Sequence, residues 1–277
     1  MFVYVAGSEM MILLLYVDDI ILTGSSESFI YHLISYLSAA FTMKDLGDLH
    51  FFLGLEATRS IDSILLTQRK YTLELLDKEK MLECNPCSTP VAKGPRYLCL
   101  TRPDICFAVN YVSQYMHAPT DVYLLLVKRI LRYLKGSIGL GITMRKGDIT
   151  TLTAYTDSDR GNCPETARST SGYAIFLGSS LISWSSKKQP TVSRYTAEAE
   201  YKGLSVATAE LEWLSSILSE LHIALAKPIT LYCDNTSVIY LSANPISRSR
   251  EKHIKIHYHV VRELITSGFL PAQHIAS

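Results

Sequence analysis

Two groups of acidic residues in this sequence have the spacing of metal ligands. The first is the pair Asp18-Asp19, set between apolar runs in Leu13-Leu14-Leu15-Tyr16-Val17-Asp18-Asp19-Ile20-Ile21-Leu22. Apolar runs this short read as buried strands, which puts the pair at a tight turn between them. Adjacent like charges repel and cost stability unless something positive neutralises them. A divalent metal does so, and carboxylate oxygens are the ligands Mg²⁺ prefers. The competing explanation is a solvated Asp-Asp hairpin turn with no ligand.

The second group is dispersed along the chain. Asp157 and Asp159 close one expected strand, Glu198 and Glu200 lie in the first turns of a long helix, and Asp234 closes another strand. Strand ends and the helix starts beside them are where α/β sheets build sites. Carboxylates gathered there repel unless they hold metal ions. Two ions about 3.5–4 Å apart activate a water and stabilise the leaving oxygen of a phosphodiester. Taken singly, each aspartate has a simpler explanation: Asp234 as a cap for the helix at Thr236, Asp157 as a turn residue. Three acids at matching element ends favour a shared site.

The elements that must position these acids follow from periodicity and punctuation. Strands are expected over 11–17 and 20–23, a capped helix over 29–41, and paired strands over 49–57 and 64–67. Helices follow over 70–81, 103–116 and 122–135, with Asn85-Pro86 and Ala118-Pro119 as breaks. The glycine-rich, turn-prone stretch 136–147 is taken as a domain boundary. After it the order is strand 152–156, strand 172–177, strand 181–185, helix 195–221, strand 229–233, helix 236–243 and helix 253–266. Three hairpin strands, a helix and a strand ending in Asp describe a mixed sheet with helices on its faces.

Composition bounds the function classes. A chain of 277 residues, 48% of them hydrophobic, can bury a real core and has room for two domains. A net charge of +1 gives no global basic field. Positive charge is local, in Lys128, Arg129, Arg132, Lys135 and in Arg248, Arg250, Lys252, Lys255, runs that by themselves read as solvated helix faces. Cys84-Asn85-Pro86-Cys87 is a lone C-x-x-C without a second pair, which argues against zinc there, and the six cysteines read as reduced intracellular thiols. The apolar run 10–17 is short of the roughly 20 residues that span a bilayer, so no membrane association is expected. It has no basic flank of the kind a signal peptide carries.

Tyr16-Val17-Asp18-Asp19 resembles the metal-binding hairpin of reverse transcriptases. Tyr155-Thr156-Asp157-Ser158-Asp159, Arg168-Ser169-Thr170-Ser171-Gly172-Tyr173 and Ser183-Trp184-Ser185-Ser186-Lys187-Lys188-Gln189 resemble the ribonuclease H domain of copia-type retrotransposon polyproteins. So do Ala197-Glu198-Ala199-Glu200-Tyr201, Tyr232-Cys233-Asp234-Asn235 and Lys252-His253-Ile254. Upstream, Met43-Lys44-Asp45-Leu46-Gly47-Asp48-Leu49, Thr101-Arg102-Pro103-Asp104 and 128–136 resemble the reverse transcriptase of the same polyproteins. The agreement is collinear and covers nearly the whole chain.

The resemblance implies an α/β (α+β) fold. A reverse-transcriptase palm, thumb and connection remnant would occupy 1–147, and a ribonuclease H-like mixed five-stranded sheet with flanking helices 148–277, its last elements truncated. It implies that Asp157, Glu200 and Asp234 are three of four metal-binding ribonuclease H carboxylates, and that Asp18 and Asp19 are two of three catalytic polymerase aspartates. Glu200 is preferred to Glu198 because Ala199-Glu200-Tyr201 matches the Ala-Glu-Leu pattern of related ribonucleases H, and two residues apart cannot share a helix face. Lys187, Lys188 and Trp184 are candidate phosphate and stacking contacts to a hybrid duplex. The implied cofactor is Mg²⁺, with Mn²⁺ as a substitute. The implied partner is an RNA–DNA hybrid or other nucleic acid, together with the rest of the Pol polyprotein. The implied location is intracellular, cytoplasmic in a virus-like particle or nuclear.

Departures from the family pattern matter too. The third polymerase Asp, the fingers and the fourth ribonuclease H carboxylate are not in this sequence. A family segment between 90–94 and 97–100 looks deleted. Arg160 replaces a common Trp, and Lys255 a common acid. These point to a decayed or truncated retroelement copy with an inactive polymerase. The expected function is therefore RNA-directed DNA synthesis and metal-dependent hydrolysis of RNA in RNA–DNA hybrids by descent. The alternatives are a non-catalytic nucleic-acid-binding remnant or a pseudogene product.

Overall fold

The structure, a computed structural model, describes every residue except 8, 89–95, 119, 227, 244–260 and 276–277. The basic run Arg248, Arg250, Lys252 and Lys255, the segment 90–94, and most of the helix expected over 253–266 lie outside the described residues.

The chain builds three sheets. The first is an antiparallel meander of β1 (Phe2–Ala6), β2 (Glu9–Tyr16) and β3 (Asp19–Gly24). Helix α1 (Glu27–Ala40) lies against it, with the Phe29 ring 5.3 Å from that of Tyr4. The apolar runs of β2 and β3 are expected to be buried, and this is corrected by the structure. Met11 is buried, but Leu14, Leu15 and Tyr16 are exposed, and no residue of α1 is buried. A meander with one helix has too little second layer to cover both faces of its strands.

The second sheet has the order β4 (Phe51–Phe52), β5 (Leu55–Arg59), β6 (Ser63–Thr67), β7 (Ile142–Arg145), all antiparallel. Strand β7 lies in the glycine-rich stretch expected to be turn. Gly141 makes this pairing workable: a Cβ there would collide with the Leu66 carbonyl. Helices α2 (Arg69–Lys78), α3 (Cys106–Ser113) and α4 (Asp121–Gly136) enclose a core of Leu76, Leu98, Ile105, Val109, Ile130 and Leu134. The helix expected over 103–116 is a 3₁₀ turn at Pro103–Ile105 followed by the shorter α3. Thr101-Arg102-Pro103-Asp104 is a structural lock. Arg102, 2% exposed, pairs with Asp104 at 2.7 Å and donates to the Ser137 carbonyl at 3.0 Å, and the Tyr133 hydroxyl donates to Asp104 at 2.7 Å.

The third sheet carries the dispersed acids. Strands β8 (Leu152–Ser158), β9 (Thr170–Leu177) and β10 (Ser180–Lys188) form an antiparallel meander. Strand β11 (Thr230–Cys233) adds to β8 in parallel, and β12 (Ala272–His274) adds to β11 in parallel, giving the order β10-β9-β8-β11-β12. Helix α5 (Thr196–Glu220), free of Pro and rich in Ala, Leu and Glu, runs across β8 and β9. It buries Tyr201, Leu204, Ala207 and Leu211 against Leu152, Ala154, Ile175 and Leu231. The fold is mixed α/β, with the five-stranded sheet and flanking helices that the resemblance implies. Among the described residues, no helix is long and apolar enough to cross a membrane.

Candidate active site at the end of the five-stranded sheet

Parallel pairing of β8 and β11 decides where two of the acids lie. Thr156 faces Cys233 in register, so Asp157 and Asp234, each one residue further on, stand side by side at the carboxyl ends of neighbouring strands. The first turns of α5 pass over the same end. Gly203 lets the helix come this close: a Cβ there would collide with Ser158 Oγ. Ser158 is itself buried and hydrogen-bonded to Ser171 Oγ at 2.9 Å. This close approach brings Glu200 down onto the two aspartates.

Glu200 is 5% exposed, and its Oε2 is buried without a hydrogen-bond partner. Burial, and then the charges of Asp157 and Asp234, push its carboxyl up to about 8, against a hydrogen bond from the Ser158 backbone. A carboxylate oxygen kept from water and from every donor is costly unless a proton or a cation meets it. Cys233 joins the cluster. Its thiol lies in the core, and burial together with the charges of Glu200, Asp234 and Asp157 pushes it up to about 11. One ligand atom each from Glu200, Cys233 and Asp234 lie within 4.8 Å of one another. Asp157 is close enough to act on Glu200 electrostatically but stands outside that tightest group.

The other acids of the same segments are used elsewhere. Asp159 Oδ1 accepts from Thr170 N at 2.9 Å and pins the β8–β9 connection. Glu198 pairs with Lys202 at 2.7 Å and accepts from Arg194 N at 2.8 Å. Burial opposes its charge, but these donors hold its carboxyl below the usual range. Helix α6 (Thr236–Ala243) is capped by Asn235, whose Oδ1 accepts from Ser237 N at 3.1 Å and Val238 N at 3.2 Å, so the cap considered for Asp234 is made by its neighbour. His274, in register with Cys233 on β12, has its Nε2 3.1 Å from the Asp234 carbonyl oxygen. Sequence reasoning passed over Cys233 and His274. A thiol directly before the strand-end Asp was the available signal for the first.

Trp184, Lys187 and Lys188 lie on β10. The Trp184 indole donates to the Cys99 carbonyl at 2.9 Å, and Lys188 Nζ donates to Gln114 Oε1 and Cys163 Sγ, both at 2.8 Å. Both side chains thus tie β10 to the helical layer. Lys187 is exposed. It lines, with Lys188, Arg194 and Lys202, a cleft of about 570 Å³ between β10 and α5. Asp18 and Asp19 are exposed at the β2–β3 turn, where Tyr16 pairs with Asp19. Val17 takes φ of 50° there, a conformation rare for a β-branched residue. Among the described residues, Asp18 and Asp19 belong to no group of three clustered metal ligands.

Residues 1–93 match the family model described as reverse transcriptase (RNA-dependent DNA polymerase). The whole chain is 41% identical to the retrovirus-related Pol polyprotein from transposon RE2 of Arabidopsis thaliana, of which it spans 21%. Over 74% of the chain it is 46% identical to an uncharacterized mitochondrial protein of the same plant, covering 95% of that protein. Among solved structures it is similar to the foamy viral protease-reverse transcriptase in complex with dsDNA, at a TM-score of 0.49 and 12% identity, over 96% of this chain and 55% of that one. The chain thus spans about a fifth of the length of the Pol polyprotein it matches.

Proposed function

This chain belongs to the retrovirus-related Pol polyproteins of transposons, and from that premise we propose that residues 148–277 act as a metal-dependent nuclease on the RNA strand of RNA–DNA hybrids. The observation that carries the reading is Glu200: a buried carboxylate with an unpartnered oxygen, aimed at the end of the sheet where Asp157 and Asp234 meet. That donor set fits Mg²⁺ or Mn²⁺. When bound, such ions supply an activated water and neutralise charge on the phosphodiester.

The protein's own contribution is positioning. Parallel register sets the spacing of Asp157 and Asp234, and the Gly203 contact sets the height of Glu200. Asp159 and Glu198 are tied up in the frame, so they leave the cluster its three carboxylates. The His274 contact to the Asp234 carbonyl steadies the backbone that carries a ligand. The cleft with exposed Lys187 offers positive charge to a phosphate backbone near the start of α5. Residues 1–147 are the polymerase-derived part, and we assign them no synthesis activity of their own.

The test is Asp234→Asn. Hybrid cleavage with Mg²⁺ or Mn²⁺ should be abolished while the melting temperature stays near that of the parent, because Asn235, not Asp234, caps α6. Cleavage persisting at the parent rate would refute the assignment. Hybrid binding without any cleavage in the parent would favour a non-catalytic nucleic-acid-binding role, which the cationic cleft also supports.

A further inference from the structure

Cys233 does not fit a site built for Mg²⁺ alone. Mg²⁺ takes oxygen ligands in octahedral geometry, whereas thiolates select softer ions. The Cys233 sulfur nevertheless shares a group within 4.8 Å with one oxygen each of Glu200 and Asp234. Glu200 also carries a buried oxygen, Oε2, without a hydrogen-bond partner, so a carboxyl short of partners and a thiol share one small group. Tetrahedral Zn²⁺ needs sulfur at about 2.3 Å and carboxylate oxygens at about 2.0–2.2 Å. Reaching that requires the three ligand atoms to draw closer than the 4.8 Å that bounds them now, and Asp234 stands just past the end of β11.

We propose that Glu200, Cys233 and Asp234 form a mixed sulfur–oxygen site that binds Zn²⁺ and like thiophilic divalent ions in preference to Mg²⁺, so that such ions occupy and block the nuclease centre. The inference rests on the metal-binding reading of Glu200 and Asp234 and extends it by one ligand. On binding, the Sγ–H bond of Cys233 breaks, the sulfur and the carboxylate oxygens bond to the ion, and the released protons pass to solvent. The Asn235 N–H, 3.4 Å from Sγ, is placed to support the resulting thiolate. An open fourth position would be left for water.

Co²⁺ is the spectroscopic probe. The full chain carrying Cys84→Ser and Cys87→Ser removes the C-x-x-C as a competing site. Adding Co²⁺ should give a near-ultraviolet thiolate-to-metal charge-transfer band that Zn²⁺ abolishes and excess Mg²⁺ does not. Adding Cys233→Ser should remove the band. Glu200→Gln should keep the thiol but weaken Co²⁺ binding by at least about tenfold, the usual effect of losing support at a metal site. A parent spectrum without the band overturns the inference and needs no variant to fold. A band that survives Cys233→Ser overturns it too, by placing the ion on another thiol. The nuclease reading is judged separately, by Mg²⁺-dependent hybrid cleavage. A band with no cleavage keeps the site and rejects the nuclease, and cleavage with no band does the reverse.

Discussion

Replacing Glu200 by Gln should stabilise the metal-free protein while weakening its hold on an ion. In the unfolded chain the carboxyl ionises near 4.5, whereas in the folded protein burial and then the charges of Asp157 and Asp234 delay ionisation to about 8. The folded state therefore holds the proton more tightly. Its stabilising effect is complete below pH 4.5 and is lost as pH rises through the folded value. Each pH unit in that window costs about 1.4 kcal/mol, so the loss is about 2 kcal/mol at pH 6 and on the order of 5 kcal/mol above pH 8. Glutamine stays neutral and avoids this loss, and its amide oxygen can accept from the Ser158 backbone. The gain from the substitution should thus grow from almost nothing at pH 4.5 to several kcal/mol at pH 8. Urea unfolding in chelator measures it. Both tryptophans, Trp184 on β10 and Trp213 on α5, report on the five-stranded sheet. Mg²⁺ should then raise the midpoint of the parent at pH 8 and move the variant less, since only a folded-state ligand shifts the equilibrium. A variant no more stable than the parent at pH 8 without metal would mean that the Glu200 carboxylate is already compensated, and the metal argument would fail with it.

Three further outcomes follow from particular contacts. Gly203→Ala should lower stability by about 1–2 kcal/mol, because the overpacking against buried Ser158 exceeds the helix-propensity gain of alanine; an unchanged or higher melting temperature would refute the close approach. Lys188→Gln should move the alkylation profile of Cys163 to higher pH. Burial pushes that thiol up, but Lys188 at 2.8 Å and the hydrogen bonds of Thr166 bring it down to about 7. Peptide-resolved iodoacetamide rates measure the profile, and an identical curve in the variant would remove Lys188 as the cause. Primer extension on an RNA template with Mg²⁺ or Mn²⁺ should give no product, since Asp18 and Asp19 belong to no three-ligand cluster among the described residues; extension that disappears on Asp18→Asn would overturn this.

What the sequence alone determined is what depends on near neighbours. A Pro-free run rich in Ala, Leu and Glu marks α5 over 195–221, and the helix spans Thr196–Glu220. Alternation ending in an acid marks β8 and β11, and so picks out Asp157 and Asp234 before any sheet is drawn. The resemblance adds Glu200 on a single neighbouring residue. Spacing, by contrast, says only that Glu198 and Glu200 point different ways. Lys202, four residues on, takes the first, and the sheet below takes the second. Strand β7 escaped detection because Ile142–Arg145 is a strand only by virtue of pairing with β6, about 80 residues earlier. The apolar β2 and β3 promise burial by composition, yet their exposure depends on what lies over them, which no local pattern encodes. Cys233 looked like one more core thiol. Its place among the acids comes from parallel register with β8 and from Gly203 admitting α5, two contacts between segments distant in the chain. Local spacing fixes which side chains share a face of an element. Which faces meet is set by pairing and packing across long separations, and there the tertiary structure alone decided.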